Sequence, residues 1–232
     1  MTMKYLKHNT NATYALLGVL GGLLFVAGDG FFYWYQGNCG ADIDPLWAEL
    51  PEWRFVLSAV LGFAGMILML PAFVSFYRMI ARTCGTLLRT FTALMGVGVA
   101  STGFLHFSIG ALPPITYKAV LDFGGTPEMA AAVCQHWLDV LTPVNLCLIL
   151  FLCFEYVVHF AATISGKLGL PRVTCLLGIS GAAVIGLVWK LIFSGTAAEY
   201  AYYAFESLGE TLTFLTAFIY WRKNAIIATR LQ

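Results

Sequence analysis

The chain alternates between long apolar runs and short polar stretches from one end to the other. Six of the apolar runs are long enough to cross a hydrocarbon core of about 30 Å as α-helices, which takes about 20 residues each. Trp and Tyr residues lie near many of their ends, where aromatic side chains anchor membrane helices at the interface. The pattern therefore predicts an all-α, polytopic transmembrane helix bundle that forms a single domain over residues 1–232, with spans at about 13–36, 53–80, 85–112, 137–164, 171–194 and 199–222.

Charged residues outside these spans separate by sign, which predicts the orientation of the bundle. Basic residues flank one set of span ends, whereas acidic residues occupy the other set, where Lys118 is the only basic loop residue. Because cytoplasmic loops carry the excess of Lys and Arg, both termini are predicted to be cytoplasmic. The two long loops, at about 37–52 and 113–136, are then extracytoplasmic. In the second, Thr126 and Pro127 suit the cap and first position of a short helix.

The composition agrees with a membrane protein and excludes other classes. Hydrophobic residues make up 59% of the chain and charged residues only 11%, and the mean hydropathy is +0.79. Soluble domains carry about 25% charged residues. The sequence contains no phosphate-binding loop, nucleic-acid patch or soluble-cofactor fingerprint, so neither a cofactor nor a nucleic-acid partner is predicted. The expected partner is the lipid bilayer, while a homo-oligomer and a Cys39–Cys134 disulfide between the two long loops stay open.

Several ionisable side chains lie inside the predicted spans, at similar depths in their extracytoplasmic halves. A charged side chain near the bilayer centre costs at least about 2.5–3.5 kcal/mol, and such residues usually face the bundle interior and mark function. Steps of three and four along the sixth span place its polar residues on one inward face. We therefore predict one polar layer, which consists of Asp29, Arg54, His106, Lys190, Glu206 and Glu210, with Tyr203 on the same face of the sixth span and Asp139 at the rim.

The residue types of this layer suit acid–base chemistry or ligand binding. Two glutamates stacked on one helix face repel each other, which favours one neutral carboxylic acid that can exchange a proton with a neighbouring histidine. The candidate catalytic residues are Glu206, Glu210 and His106. The candidate ligand-binding residues are Asp29, Arg54, Lys190, Tyr203 and Asp139. A metal site on His106, Asp29 and Glu206 has weaker support, because the sequence contains no His-x-x-x-His or His-Glu-x-x-His pair.

Three functions remain open on this pattern, and the residues do not decide whether the protein is an enzyme. Aromatic residues around the polar layer favour binding of, or acid–base chemistry on, a lipid-like or amphiphilic molecule. A proton- or ion-coupled transporter of small solutes would use the same charges but needs a polar route to the cytoplasm. A structural or accessory subunit would use the charges only to fix helix packing. Close packing of the first span is also predicted by its small residues Gly18 and Gly22. Glu155 and His159, four residues apart, are interpreted as a pair on a helix surface or as snorkelling groups at the membrane interface.

Three short sequence features carry a resemblance to a known group of proteins. They are the run Phe25-Val-Ala-Gly-Asp29-Gly in the first span, Trp53-Arg54 at the start of the second, and His106 late in the third. In these features the chain resembles an uncharacterised family of six-helix bacterial membrane proteins. The resemblance implies a location in the bacterial inner membrane, but it implies no function because none is assigned to that family.

Overall fold

A computed structural model of the chain describes residues 3–33, 43–83, 85–176, 178–193 and 204–230. This part of the chain is helical almost throughout and contains no strand. Its α-helices are α1 (Met3–Tyr33), α2 (Glu52–Thr83), α3 (Thr86–Leu105), α4 (Leu112–Asp122), α5 (Pro127–Ile164), α6 (Ile179–Ile192) and α7 (Phe205–Arg230). Two 3-10 segments, Pro45–Ala48 and Arg172–Leu176, and one π segment, His106–Ala111, complete the described helices. The predicted all-α fold class is confirmed.

The part of the predicted loop at 113–136 that precedes Thr126 is mostly helical, so the prediction of a loop is wrong there. Helix α4 follows the π segment directly, and only a short turn separates it from α5. Pro113 and Pro114 lie in the first turn of α4. Proline is tolerated there because the first N–H groups of a helix have no intrahelical acceptor. The two prolines therefore begin a helix where the sequence suggested a break.

Helix α5 begins where the sequence predicted a short helix and continues without a break to Ile164. The Thr126 hydroxyl accepts a hydrogen bond from the Met129 N–H at 3.3 Å, and Pro127 is the first helical residue. The predicted cap is therefore confirmed. Beyond the other end of α5, Gly166 has a φ of 72°, the left-handed conformation in which glycine commonly ends a helix.

Glycines in α1 let two other helices approach its backbone closely. A Cβ atom added at Gly18 would lie 2.6 Å from Cγ of Phe214 in α7 and 2.7 Å from Cβ of Ala72 in α2. Gly22 lies in a similarly close contact with Thr211 of α7. The predicted small-residue packing of this helix is therefore confirmed, and it makes α1 the shared neighbour of α2 and α7.

The larger of two hydrophobic clusters lies among α1, α2, α5 and α7. Its centre is aromatic: the Phe76 ring stacks on Phe214 at a centroid distance of 5.6 Å and contacts Trp221 edge to face at 5.4 Å. Aromatic pairs in these geometries contribute about 0.5–1.5 kcal/mol beyond the area they bury. This cluster fixes the relative positions of the helices that carry most of the buried polar residues.

The second cluster caps the ends of α1 and α2. The segment that contains the first 3-10 turn packs on α4, with Trp47 and Tyr117 edge to face at 6.2 Å. Lys118 Nζ donates a hydrogen bond to the carbonyl oxygen of Ala48 at 2.8 Å. The thiol of Cys134 is free and buried in this cap, whereas Cys39 lies outside the described residues. The two regions predicted as long loops thus pack together over one end of the bundle.

Three helices of the described chain are long and apolar enough to cross a membrane: Thr10–Phe32 in α1, Glu52–Ala81 in α2 and Pro127–Phe151 in α5. They correspond to the first, second and fourth predicted spans. Only 11% of the apolar stretch of α5 is buried inside the structure, so most of the surface of that stretch needs an apolar environment. The same holds for one side of α6, where exposed apolar residues are Val184, Ile185, Leu187, Val188, Leu191 and Ile192.

Candidate functional site

Asp29 is the centre of a buried polar cluster to which three helical segments contribute. Only 5% of the surface of Asp29 is exposed. Ser207 Oγ of α7 donates a hydrogen bond to Oδ2 at 2.5 Å, and Nε2 of His106 lies 3.4 Å from Oδ1. A carboxylate buried in an apolar interior is costly unless it is paired and hydrogen-bonded. Here each carboxylate oxygen has a polar partner from a different segment, and we call Asp29, His106 and Ser207 the Asp29 cluster.

His106 begins the π segment that joins α3 to α4. Such segments are rare, appear mostly as single-turn bulges and occur frequently at functional sites. Ser108, in the same segment, is buried and donates a hydrogen bond to Oδ1 of Asn145 in α5 at 3.1 Å. The π segment therefore presents His106 to α1 and Ser108 to α5, so that it connects two helices through polar contacts.

The imidazole of His106 is held in place by Phe25 and Gly62. The rings of Phe25 and His106 meet edge to face, with centroids 4.4 Å apart and an interplanar angle of 81°. A Cβ atom added at Gly62 would lie 2.5 Å from Cγ of His106 and 2.7 Å from Nδ1. Because real Cβ atoms essentially never come within 3.0 Å of another heavy atom, only glycine leaves room for the ring here. Gly62 thus allows His106 to reach Asp29.

The Asp29 cluster is more accessible at its histidine than at its carboxylate. The His106 side chain is 13% exposed and the Asp29 side chain 7%. The neighbouring Phe104 and Phe107 are both exposed. Nδ1 of His106 lies on the part of the ring that is close to Gly62. The partly exposed histidine is therefore flanked in the sequence by exposed aromatic side chains.

Sequence reasoning missed Ser207, Asn145 and the π segment. It searched the spans for ionisable groups, so neutral serine and asparagine side chains received no weight. One signal was available: Ser207 lies three residues before Glu210, on the inward face already predicted for this helix. The π segment has no comparable signal, because its backbone depends on contacts with α1 and α5.

The candidate catalytic residues have different surroundings in the structure. His106 belongs to the Asp29 cluster, as described above. Glu210, one turn after Ser207, is only 2% exposed. The side chain of Glu206 and the whole of Tyr203, a candidate ligand-binding residue, lie outside the described residues. The structure therefore brings His106 to Asp29 and places Glu210 on the same helix as Ser207.

The remaining candidate ligand-binding residues have local contacts of their own. Nε of Arg54 donates a hydrogen bond to the carbonyl oxygen of Phe31 at 3.0 Å, near the end of α1. Cations near a helix C-terminus interact favourably with its last carbonyl groups. Asp139 is exposed on α5 and accepts a hydrogen bond from Nε2 of Gln135 at 2.8 Å. Lys190 is exposed in the last turn of α6.

The structure gives the metal hypothesis no further support. Among the described residues, no group of three His, Cys, Asp or Glu side chains is placed to hold a metal ion. Asp29 and His106 meet directly through Oδ1 and Nε2. Glu206, the third residue of the hypothesis, contributes nothing to this test because its side chain is not described.

Comparison with known proteins gives one match. A model of a family of unknown function (DUF6796) matches residues 3–224, a range that contains the whole Asp29 cluster. No curated protein and no solved structure is similar enough to the chain to count as a match.

Proposed function

The chain belongs to this family of unknown function, and from its geometry we propose that it is a multi-pass membrane protein that binds a lipid-like molecule and exchanges a proton with it at the Asp29 cluster. One observation carries the proposal: a buried carboxylate contacts a partly exposed histidine that is flanked in the sequence by exposed aromatic residues. Apolar sites with a few convergent polar groups are the usual form of ligand pockets.

The proposed membrane topology has six spans, which are the three apolar helices described above and three further ones. Helix α3 with the π segment, α6 and α7 occupy the positions of the third, fifth and sixth predicted spans. The alternation of basic and acidic loop residues supports cytoplasmic termini in an inner membrane. Under this topology the Asp29 cluster lies in the extracytoplasmic half of the bundle, level with the outer leaflet.

The proposed chemistry assigns a separate role to each member of the Asp29 cluster. Asp29 accepts a hydrogen bond from the Nε2–H group of His106, which fixes the ring tautomer and leaves Nδ1 as the basic nitrogen. Nδ1 then takes a proton from the ligand, and the Asp29 carboxylate stabilises the imidazolium that forms. Ser207 is a positioning residue, because its hydroxyl holds the other carboxylate oxygen. The reverse transfer returns the proton to the ligand.

Lipid retained during purification tests the binding step. The full-length chain, extracted in a mild detergent, is expected to retain an amphiphile that native mass spectrometry detects. His106→Gln is expected to lower the retained fraction about 10-fold, since a lost charge-assisted hydrogen bond costs about 1.5–3 kcal/mol.

His136→Gln is the matched control, because His136 is an exposed histidine on α5. It should retain the amphiphile at the native level. Equal retention in the native chain, H106Q and H136Q would rule out a ligand at the Asp29 cluster, since ordinary lipid around the bundle does not depend on one buried ring.

Proton-coupled transport is a second candidate, favoured by the buried polar residues of α7. Ser207, Glu210 and Thr213 follow steps of three residues and are all nearly inaccessible. Ser207 contacts Asp29, and Thr213 and His159 of α5 both lie close to Gly178. This stripe supplies a polar route along the helix that an apolar packing surface would not contain.

Glu210→Gln tests the transport candidate in liposomes that carry a trapped pH dye. Transport through the stripe predicts that this substitution lowers the proton flux about 10-fold or more, since it removes the only carboxyl group among its three residues. Glu49→Gln, at an exposed position, should leave the flux unchanged. Unchanged flux together with a large loss of thermal stability in E210Q would instead support a structural role for Glu210.

A further inference from the structure

Ser108 and Asn145 form a buried polar contact that has no role in the proposed proton exchange. Oγ of Ser108 donates its hydrogen bond to Oδ1 of Asn145 over 3.1 Å. Ser108 is 1% exposed and Asn145 7%. A buried polar group that loses its partner costs about 1–3 kcal/mol. The contact therefore resists any movement that would separate the π segment from α5.

Asn145 lies on the narrow side of α5 that faces the bundle. Cys134, Leu138, Leu141 and Asn145 follow steps of three and four residues, so they share one side of the helix. The first and last of them are buried and the two leucines partly buried, whereas Val144, next to Asn145, is exposed. An apolar side chain would suffice for helix packing at this position. The amide instead supplies a directional contact, and satisfied polar contacts in a core favour one arrangement of the helices.

His106 and Ser108 project to nearly opposite sides of the π segment, because they are two positions apart on a helical backbone. Their partners agree with this: His106 meets Asp29 of α1, and Ser108 meets Asn145 of α5. A rotation of the segment about its own axis would move both side chains at once. The hydrogen bond to Asn145 therefore opposes the rotation that would take His106 away from Asp29.

Packing restrains the ring of His106 more than it restrains the rest of the π segment. A Cβ atom added at Gly62 would lie 2.5 Å from Cγ of His106, so the ring rests closely on α2. A Cβ atom added at Gly110 of the segment would meet nothing within 4 Å, although Gly110 is buried. The backbone thus has room to shift beside Gly110, and the contact between Ser108 and Asn145 limits that shift.

We propose that Asn145 is a positioning residue for His106, because it fixes the rotation of the π segment through Ser108 and so keeps the imidazole on Asp29. Asn145 acts through the backbone of the segment and takes no direct part in proton transfer. Its effect on ligand binding rests on the proposed function, whereas its effect on the contact between His106 and Asp29 does not. The Asp29 cluster thereby depends on α5 as well as on α1, α7 and the π segment.

Double-mutant cycles in the full-length chain test this role by reversible unfolding in mixed detergent micelles. Asp29→Ala and His106→Gln measure the coupling between Asp29 and His106. Asp29→Ala and Ser207→Ala measure the coupling between Asp29 and Ser207. Asn145→Leu should remove most of the first coupling, because the π segment can then rotate. It should leave the second unchanged, because Ser207 reaches the carboxylate from α7.

Thr142→Val is the matched control, one turn before Asn145 on the same helix. The exposed Thr142 donates its hydrogen bond to the carbonyl oxygen of Leu138 within α5, at 2.7 Å, so its loss should leave both couplings unchanged. Ser108→Ala removes the donor of the proposed contact and should reproduce the selective loss. Combined with Asn145→Leu it should add little, since both changes break the same hydrogen bond. If N145L does not fold, S108A, which removes a single oxygen atom, decides the test.

Two outcomes would overturn the positioning role. One is an unchanged coupling between Asp29 and His106 in both N145L and S108A. The other is an equal loss of both couplings, because a purely structural role of Asn145 would loosen the contacts of Asp29 without selecting one of them.

Retention of the amphiphile separates this role from the proposed function. It should fall about 10-fold in N145L, as in H106Q, and stay at the native level in T142V. A native chain that retains no amphiphile would contradict the proposed function alone, and the two couplings would still decide the role of Asn145.

Discussion

Asp29→Ala is expected to lower the free energy of unfolding by about 3 kcal/mol, because it leaves the buried Ser207 hydroxyl and the partly exposed His106 ring without their partner. Ser207 Oγ loses its 2.5 Å hydrogen bond and Nε2 of His106 loses its partner at 3.4 Å. Each buried donor left unsatisfied costs about 1–3 kcal/mol, and the truncated side chain adds a small cavity. Reversible unfolding in mixed detergent micelles measures the change.

A double-mutant cycle identifies the source of this loss. If the Ser207 hydrogen bond is responsible, Asp29→Ala and Ser207→Ala together should cost about 1 kcal/mol less than the sum of the single changes. Asp122→Ala is the control, since Asp122 is exposed at the end of α4 and should change stability by no more than about 0.5 kcal/mol. Strict additivity in the cycle would show that the two side chains stabilise the fold independently.

The hydrophobic pattern predicted the helices because a helix that buries one face and exposes another apolar face to lipid leaves long apolar runs in the sequence. It misplaced the region of α4, where Pro113 and Pro114 suggested an interruption. Proline is unfavourable inside a helix but acceptable in its first turn, and sequence alone does not distinguish these two positions when an apolar run continues into the prolines. In the structure, α4 begins directly after the π segment, which places both prolines in the first turn of a helix.

Asp29 and His106 were predictable as candidate site residues because ionisable groups are rare in apolar spans. Their direct contact was not, because it also needs the glycine at position 62 and the local backbone of the π segment. Ser207 was not predicted because serine is nearly neutral in hydropathy, so the sequence does not show that its hydroxyl donates to a buried carboxylate. The contacts of the Asp29 cluster thus depend partly on residues whose hydropathy gives no signal in the sequence.

His159 shows the opposite error. Its position near the end of a predicted span, four residues after Glu155, suggested a surface pair, although the side chain of Glu155 lies outside the described residues. The ring is instead buried beside Phe76, at a centroid distance of 6.0 Å. Helix rotation decides whether a residue at a given depth faces lipid or protein, and a nearly uniformly apolar helix carries little sequence information about its rotation.

Gly62→Ala is expected to lower the free energy of unfolding by about 2 kcal/mol, even though alanine favours helix more than glycine does. The new Cβ would lie 2.5 Å from Cγ of His106, so the ring must move. Overpacking of this kind costs about 1–3 kcal/mol, and displacement of the ring also weakens the contact with Asp29, while helix propensity returns about 1 kcal/mol.

Gly96→Ala is the matched control, because a Cβ added at Gly96 of α3 meets nothing within 4 Å. It should raise the free energy of unfolding by about 0.5–1 kcal/mol through helix propensity alone, so the two glycines should differ by about 3 kcal/mol in the same unfolding measurement. If Gly62→Ala acts by moving His106, combining it with Asp29→Ala should add little, since both changes break the same contact. A stability gain at both glycines would mean that the ring does not rest on Gly62, and the Asp29 cluster would then need a different support.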